Sequence, residues 1–481
     1  MLFHTWDFAI FFAITYVVYL FLRPTRYWVH WFFLTSYFFY GWWNKWYLLL
    51  LFGTSAIDYL MVIFMERSRT QRRRLLWLIV SLVSNFGFLG YFKYSGFITQ
   101  QLNALLSWVG VAMQLPDPIA YPNALLGALG VPAAHQFAAV ILPIGISFHT
   151  FQSMSYTIDA YYRRIPIERS FVRFLAFVSF FPQLVAGPIE RSGNLLPQLT
   201  NKPPLRGRDI SDGMSLFLVG LFKKVALADY FAQYVEKVYA APDMYSSGAL
   251  VLATVAFGWQ IYFDFSGYTD MGRGVAKMMG FDLMLNFNNP YLADSLGDFW
   301  NRWHISLSTW FKDYVYFPLG GNRGGKLFTY RNMVLTMLIS GIWHGAAWGF
   351  VIWGAMHALG RALTRELEGT AFYRDRVPRI AKQVAVFAFV TFCWIFFRAQ
   401  STHDAFLIVK RIFSTGWGDP RFPIAMLVMI LGVWTYQFSF ESRLRPVLEL
   451  GIVRVAMAAG MIIYLAMFTG GSSSAFIYFQ F

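Results

Sequence analysis

Cysteine is almost missing from this chain: Cys393 is the one thiol in 481 residues. That excludes a disulfide framework and any zinc site built on paired thiolates. Charge is sparse as well, at 14% against about 25% in an ordinary soluble domain. Disorder needs high charge and low hydrophobicity, so it is excluded, and so is an ordinary soluble enzyme. Several catalytic signatures are lacking too. There is no HExxH zinc motif. Gly145-Ile-Ser-Phe-His149 lacks the second glycine of a nucleophile elbow. The acyltransferase spacing of a histidine followed five residues later by an aspartate is absent, because Thr309 follows His304 and Gly349 follows His344 at that distance. The stretch LGGNRGG at 319–325 lacks the Lys-Ser/Thr of a phosphate loop and reads as a turn.

What the chain has instead is apolar bulk, 57% hydrophobic and 20% aromatic. A membrane crossing takes about 20 apolar residues, so there is room for about ten to twelve spanning helices. The expected class is an all-α polytopic integral membrane protein, a single membrane domain over 1–481 with no soluble module. Apolar runs lie near 8–22, 28–41, 45–65, 75–98, 136–160, 171–187, 212–232, 247–263, 331–364, 380–398, 421–438 and 452–468. The proline-rich stretch 111–135 reads as a loop with a short surface helix. With no basic n-region and no small-residue cleavage site, the first run reads as a retained helix. Three crossings before the first basic cluster place the N-terminus outside.

The net charge is 40 − 25 = +15. Its basic residues cluster between apolar runs: Arg67, Arg69, Arg72, Arg73 and Arg74; Arg163, Arg164, Arg169 and Arg173; Arg374, Arg376, Arg379 and Lys382. Short basic loops are the positive-inside signal of an inner-type membrane. The partner implied is lipid, and nucleic acid is not expected. Cys393, inside VFAFVTFCWIFF, reads as a buried inert thiol.

The region from about 264 to 330 is aromatic yet carries Asp264, Asp270, Arg273, Lys277, Asp298, Arg302, His304, Lys312 and Asp313. Polar groups at membrane depth survive only inside protein or beside water. Re-entrant or interfacial helices around a central cavity are therefore expected here, and chemistry with them. Asp264 and Asp270 read as ties between helices. Of the eight histidines, His4, His135 and His403 read as terminal or loop residues, His30 as part of an interfacial aromatic belt, and His149 as a hydrogen-bonded structural residue. His344 differs, lying at the heart of SGIWHGAAWGFVIWGAMHA, where an ionisable group is functional by default. Gly341, Gly345 and Gly349 recur every fourth residue and share a face if the helix is continuous. Trp348 then falls beside His344. On the same assumption His357, thirteen residues on, points elsewhere, about 220° around the helix. In DFWNRWHISLSTWFKDY, helical spacing puts Trp300, His304 and Ser308 on one stripe and pairs Asp298 with Arg302. Imidazole is suited to taking a proton from a hydroxyl near neutral pH, so acyl transfer to an alcohol is the natural chemistry, with no metal required.

The segments YFDFSGYTDMGRGVAKMMG, FNNPYLADSLGDFWNRWHISLSTWFKDYVYFPLGGNRGG and SGIWHGAAWGFVIWGAMHA resemble the membrane-bound O-acyltransferase family. The likeness is closest to its bacterial branch of alginate O-acetyltransferase membrane subunits and teichoic acid D-alanyl transfer proteins. LPIGISFHTFQSMSYTID, FFPQLVAGPIER and the terminal FIYFQF are similar as well, and the motif-rich part spans about 264–360. This resemblance implies that fold, with His344 catalytic and His304 as its companion in the active site. Trp343, Trp348, Trp303, Trp310, Asp313 and Asn301 are the substrate-binding candidates around them. It further implies acetyl-CoA as donor from the cytoplasm, a multi-pass place in the bacterial inner membrane, and a periplasmic acetyltransferase partner that acts on a polysaccharide of alginate type. The reading from a different class is a polytopic transporter or flippase for a lipid or polysaccharide precursor, which would favour two pseudo-symmetric halves; none are visible in the sequence. A non-catalytic scaffold is disfavoured, because it gains nothing from burying His344.

Overall fold

The computed structural model describes residues 1–118, 120–128, 130, 145–185 and 187–468. The regular structure among these residues is all helical, with no strand. Five helices are long and apolar enough to cross a membrane: Tyr47–Arg67, Gln71–Trp108, Ser247–Met278, Arg379–Arg398 and Gly451–Phe468; Trp6–Leu22 and Ile424–Phe440 are shorter apolar ones. The chain divides into two compact units, Met1–Met214 with Gly272–Met284, and Ser215–Met271 with Leu285–Phe481.

In the first unit the helices Trp6–Leu22, Trp28–Gly41 and Tyr47–Arg67 fall on the first three apolar runs. Thr5, Thr70 and Ser170 each cap a helix by accepting from a backbone N–H three residues on. The short link 68–70 folds Gln71–Leu89 back on Tyr47–Arg67, and a π-helical turn, Gly90–Tyr94, carries the chain on into Ser95–Trp108. A polar knot ties this hairpin to the helix Ile146–Tyr161. Asp58, fully buried, accepts from the Ser81 hydroxyl at 2.6 Å, from the Asn85 amide at 2.8 Å, and from the Ser153 hydroxyl. Away from water a carboxylate persists only with such donors around it. Arg74 departs from its expected place in a solvated basic loop. It is buried, donating to the carbonyls of Met65, Ala160 and Tyr161, because those helix ends leave acceptors unsatisfied. The run expected at 136–160 begins in residues outside those described, as do His135 and the terminal FIYFQF. Of 111–135, the short helix Ala120–Ala128 is described.

The second unit is built around Ser247–Met278, which belongs to it as far as Met271. Trp259, Trp353, Trp394 and Trp303 pack in its core. The structure revises the region expected to be re-entrant: Asp264 and Asp270 ride on this long, mostly buried helix. They act as ties, as the sequence suggests. A π-helical turn, Phe222–Ala228, aims two lysines at them: Lys224, wholly buried, meets Asp264 at 2.7 Å and Asp229 at 2.8 Å, and Lys223 meets Asp270 at 2.7 Å. Short elements do follow, Leu296–Arg302, Ile305–Phe311 and a π-helical turn Lys312–Tyr316. LGGNRGG is the expected turn, with Gly320, Gly321, Gly324 and Gly325 at positive φ.

The run 331–364 is not one helix. Lys326–His344 stops at His344, and Trp348–Glu368 starts after three non-helical residues and packs back against it. A Cβ on Gly341 would lie 2.3 Å from the Phe350 carbonyl oxygen, and one on Gly354 would lie 2.5 Å from that of Met337. Glycine at both positions lets the two backbones touch. Beyond this hairpin come Arg379–Arg398 and the helix Thr402–Ser414, capped by Ser401.

Candidate active site

His304 occupies the turn between Leu296–Arg302 and Ile305–Phe311, with φ 42 and ψ 54. This left-handed conformation is uncommon for a residue other than glycine, and the surroundings hold it in place. The buried Asn286 accepts the Ile305 N–H on its carbonyl at 2.9 Å and the Ser306 N–H on its side chain at 3.2 Å, and Asn288 donates its N–H to the Arg302 carbonyl at 2.9 Å. The expected Asp298–Arg302 pair is present at 2.9 Å, and Arg302 reaches Glu441 at 2.6 Å. Strained backbone of this kind gathers at functional sites, where neighbouring contacts over-determine it. The break at His304 also ends the expected stripe through Trp300, His304 and Ser308; the Ser308 hydroxyl turns back to the Trp303 carbonyl at 3.0 Å.

The His304 ring is 1% exposed. It meets Phe265 edge-on at 4.6 Å between ring centres and comes within 6.3 Å of Trp343. The turn that carries it is not a spanning helix, and burial pushes its pKa well below the usual imidazole value, to about 3. The ring is therefore neutral, with one nitrogen to donate and one to accept.

His344, 6% exposed, ends its helix. Gly345 continues in extended backbone, and a Cβ there would lie 2.0 Å from the Phe350 ring. The His344 ring is walled by Trp343 at 4.9 Å, Trp353 at 5.2 Å and Phe397 at 5.2 Å. Trp343 thus lies within ring contact of both histidines, and the two sequence candidates for catalysis come together around it.

The helix break corrects three further expectations. Gly341, Gly345 and Gly349 do not share one face. Trp348 opens the second helix with its side chain half exposed, and Trp353 packs against the His344 ring. His357 is not turned away: the chain doubles back, so its ring lies 4.7 Å from Trp353, on which His344 also packs, and 5.0 Å from Trp300. It is wholly buried, and neither ring nitrogen finds a hydrogen-bond partner among the described residues. Of the other binding candidates, Trp303 is a core residue packed on Trp394 at 5.2 Å, and Trp310 is buried against Tyr314 at 5.0 Å. Asp313 sits half-buried on the π-helical turn, and Asn301 is exposed. His149, buried in the first unit, keeps its Nε2 without a partner among the described residues.

Asn286 is the site residue that sequence reasoning missed. It lies in FNNPY, and nothing in that pattern singles out one asparagine as the brace of a turn twenty residues away. Among the described residues no group of three or more His, Cys, Asp and Glu side chains is placed to hold a metal ion. What the site offers is two imidazoles shut away from water by aromatic walls, suited to proton transfer and to hydrogen bonding of developing charge.

The sequence profile of the membrane-bound O-acyltransferase family matches residues 13–403. The chain is 38% identical over 387 residues to the probable alginate O-acetylase AlgI of Pseudomonas aeruginosa, covering 80% of this chain and 69% of that protein. It is 34% identical over 407 residues to the peptidoglycan O-acetyltransferase of Helicobacter pylori, covering 79% and 72%. The teichoic acid D-alanyltransferase of Bacillus subtilis is 29% identical over 229 residues, covering 45% and 57%.

Proposed function

We propose that this chain, which belongs to the membrane-bound O-acyltransferase family, passes an acetyl group from cytoplasmic acetyl-CoA across a bacterial inner membrane to O-acetylate an extracytoplasmic polysaccharide. It is a multi-pass membrane O-acyltransferase. Acetyl as the group and an alginate-type exopolysaccharide as the final acceptor are supported by the names of relatives at 38% identity; the Helicobacter relative makes peptidoglycan the competing acceptor. A periplasmic acetyltransferase partner receives the group or presents the glycan.

The observation that carries this reading is the meeting of His304 and His344 around Trp343. His344 acts as general base. It takes the proton of the acceptor hydroxyl as that oxygen attacks the thioester carbonyl. The carbon–sulfur bond then breaks, the coenzyme A thiolate leaves and takes the same proton back, and the ester remains. The neutral His304 donates a hydrogen bond to the carbonyl oxygen as it gains charge. Aromatic walls exclude water, which would otherwise hydrolyse the thioester.

Inverted membrane vesicles given acetyl-labelled coenzyme A on their exposed cytoplasmic face test this reading. Wild type should move label into lumenal protein or glycan. His344→Ala should lose ~10²–10⁴-fold in rate, the usual cost of removing a general base, at an unchanged level of membrane-inserted protein. Equal transfer by the two proteins would overturn the assignment.

A further inference from the structure

Acyl transfer by His344 and His304 leaves one buried imidazole of the second unit unused, that of His357, on the helix Trp348–Glu368. Its ring packs on Trp353 at 4.7 Å between ring centres, tilted by 57°, and Trp353 in turn meets the His344 ring at 5.2 Å. It also meets Trp300 edge-on, at 5.0 Å and 72°. Trp300 stands on Leu296–Arg302, the short helix that runs into the left-handed turn at His304. The two indoles touch at 5.7 Å, so the three rings close a triangle. That triangle ties the wall of His344 to the helix that delivers His304, and His357 is the corner on which both indoles rest.

Stability alone does not call for an imidazole at this corner. Neither of its nitrogens bonds another of the described residues, and a buried polar atom left unpaired costs stability that an apolar side chain would keep. Nor does the docking of the helix depend on it. Three residues on, a Cβ at Gly360 would lie 2.7 Å from Leu296 Cδ1 and 2.5 Å from the Phe389 ring, so the same helices already meet closely there. What imidazole offers is shape. It is flat, as leucine is not, and its five-membered ring is smaller than a phenyl ring.

We infer that His357 is a positioning residue of the active site, whose compact flat ring sets how Trp353 holds His344 relative to His304. The inference rests on the acyl-transfer reading above. The ring acts on His344 through Trp353 and on the His304 turn through Trp300, and it takes no proton.

The test measures kcat and KM for acetyl-CoA in the same inverted vesicles, and melting temperatures in one detergent. Displacing catalytic groups by about 1 Å costs up to ~10²-fold in rate. His357→Leu keeps apolar bulk, loses the flat ring and removes the unpaired nitrogens. It should melt at or above wild type yet lose ~10–100-fold in kcat, with KM little changed. His357→Phe restores a flat ring but overpacks the corner. It should melt below the leucine variant and turn over faster than it does. Leu250→Ala, which truncates a wholly buried side chain in the first turn of Ser247–Met278, should lower the melting temperature and leave kcat near wild type. Should His357→Leu fail to insert, His357→Met, also apolar and not flat, should behave in the same way. With wild type active and His344→Ala inactive, two outcomes overturn the inference and leave the acetyl-transfer reading standing. One is a kcat that follows the melting temperature across all these variants. The other is activity kept by His357→Gln alone, which would make the nitrogens and not the ring the working part. Wild-type vesicles that transfer no acetyl group overturn both readings.

Discussion

His304 is held in a conformation that its own side chain does not favour, and this separates two reasons for its being there. If the turn matters only as backbone, glycine, which adopts positive φ without cost, should replace it well. If the ring matters, glycine should fail. We expect His304→Gly to insert with a melting temperature at or above that of His304→Ala and to be as inactive, both down ~10²-fold or more in acetyl transfer. His304→Asn, tolerant of the left-handed region and still an N–H donor, should retain more activity than either. Recovery of activity in the glycine variant alone would reduce His304 to a backbone role. At this scale the sequence was legible where an ionisable residue sat in an apolar run, as at His344, or in a polar, aromatic stretch, as at His304. It misled where geometry depended on an unbroken helix: Trp353 walls His344, and His357 turns back toward Trp353, because the chain turns at Gly345, and no spacing rule reveals a turn made by a glycine pressed on the Phe350 ring. Asn286 was illegible for another reason, since its role exists only once the chain has brought it beside Ile305 and Ser306.

At the scale of the element, the hairpin of Lys326–His344 and Trp348–Glu368 places Trp353 against His344, and close backbone contact at Gly341 and Gly354 sets the approach. The glycine pattern does mark an intimate helix approach, as its spacing suggests, but the partner is the next stretch of the same chain. A methyl at Gly354 would lie 2.5 Å from a backbone oxygen that no side-chain movement can clear. Gly354→Ala should therefore push the helices apart, cost ~1–3 kcal/mol as overpacking does, and lower acetyl transfer by shifting Trp353. Gly432→Ala, on the helix Ile424–Phe440, is the matched control, since nothing lies within 4 Å of its added methyl, and helix propensity favours alanine. Melting curves of the two variants in one detergent check this. A Gly354→Ala protein as stable and as active as Gly432→Ala would show that the hairpin has slack its backbone contacts deny.

For the molecule as a whole, an apolar chain must still bury carboxylates, and among the described residues fixed partners answer them: Asp58 by hydroxyls and an amide, Asp264 and the half-buried Asp270 by lysines. The apolar runs made the helices legible, but which aspartate would meet which lysine depends on a π-helical turn that hydropathy does not show. Glu190, in the loop of the GPIER motif, is the exception in kind. It is wholly buried, accepting from the Asn194 side chain at 2.6 Å and from the Met284 backbone N–H, with Arg191 and Arg273 near. Burial outweighs those contacts and raises its carboxyl to about 7. The folded chain thus prefers this group protonated. Its contribution is fully present below the carboxylate's ordinary pKa, near 4.5, where both states hold the proton. It is lost as pH rises through about 7, because the unfolded chain ionises first. Glu190→Gln keeps a neutral group of the same shape and cannot ionise. The stability of wild type relative to Glu190→Gln should therefore fall between pH 4.5 and 7 by on the order of 2–3 kcal/mol and then level off, which melting temperatures in matched detergent at pH 5, 6, 7 and 8 would reveal. A difference between the two proteins that stays constant across that range would mean that Asn194, Arg191 and Arg273 hold the charge as well as water does.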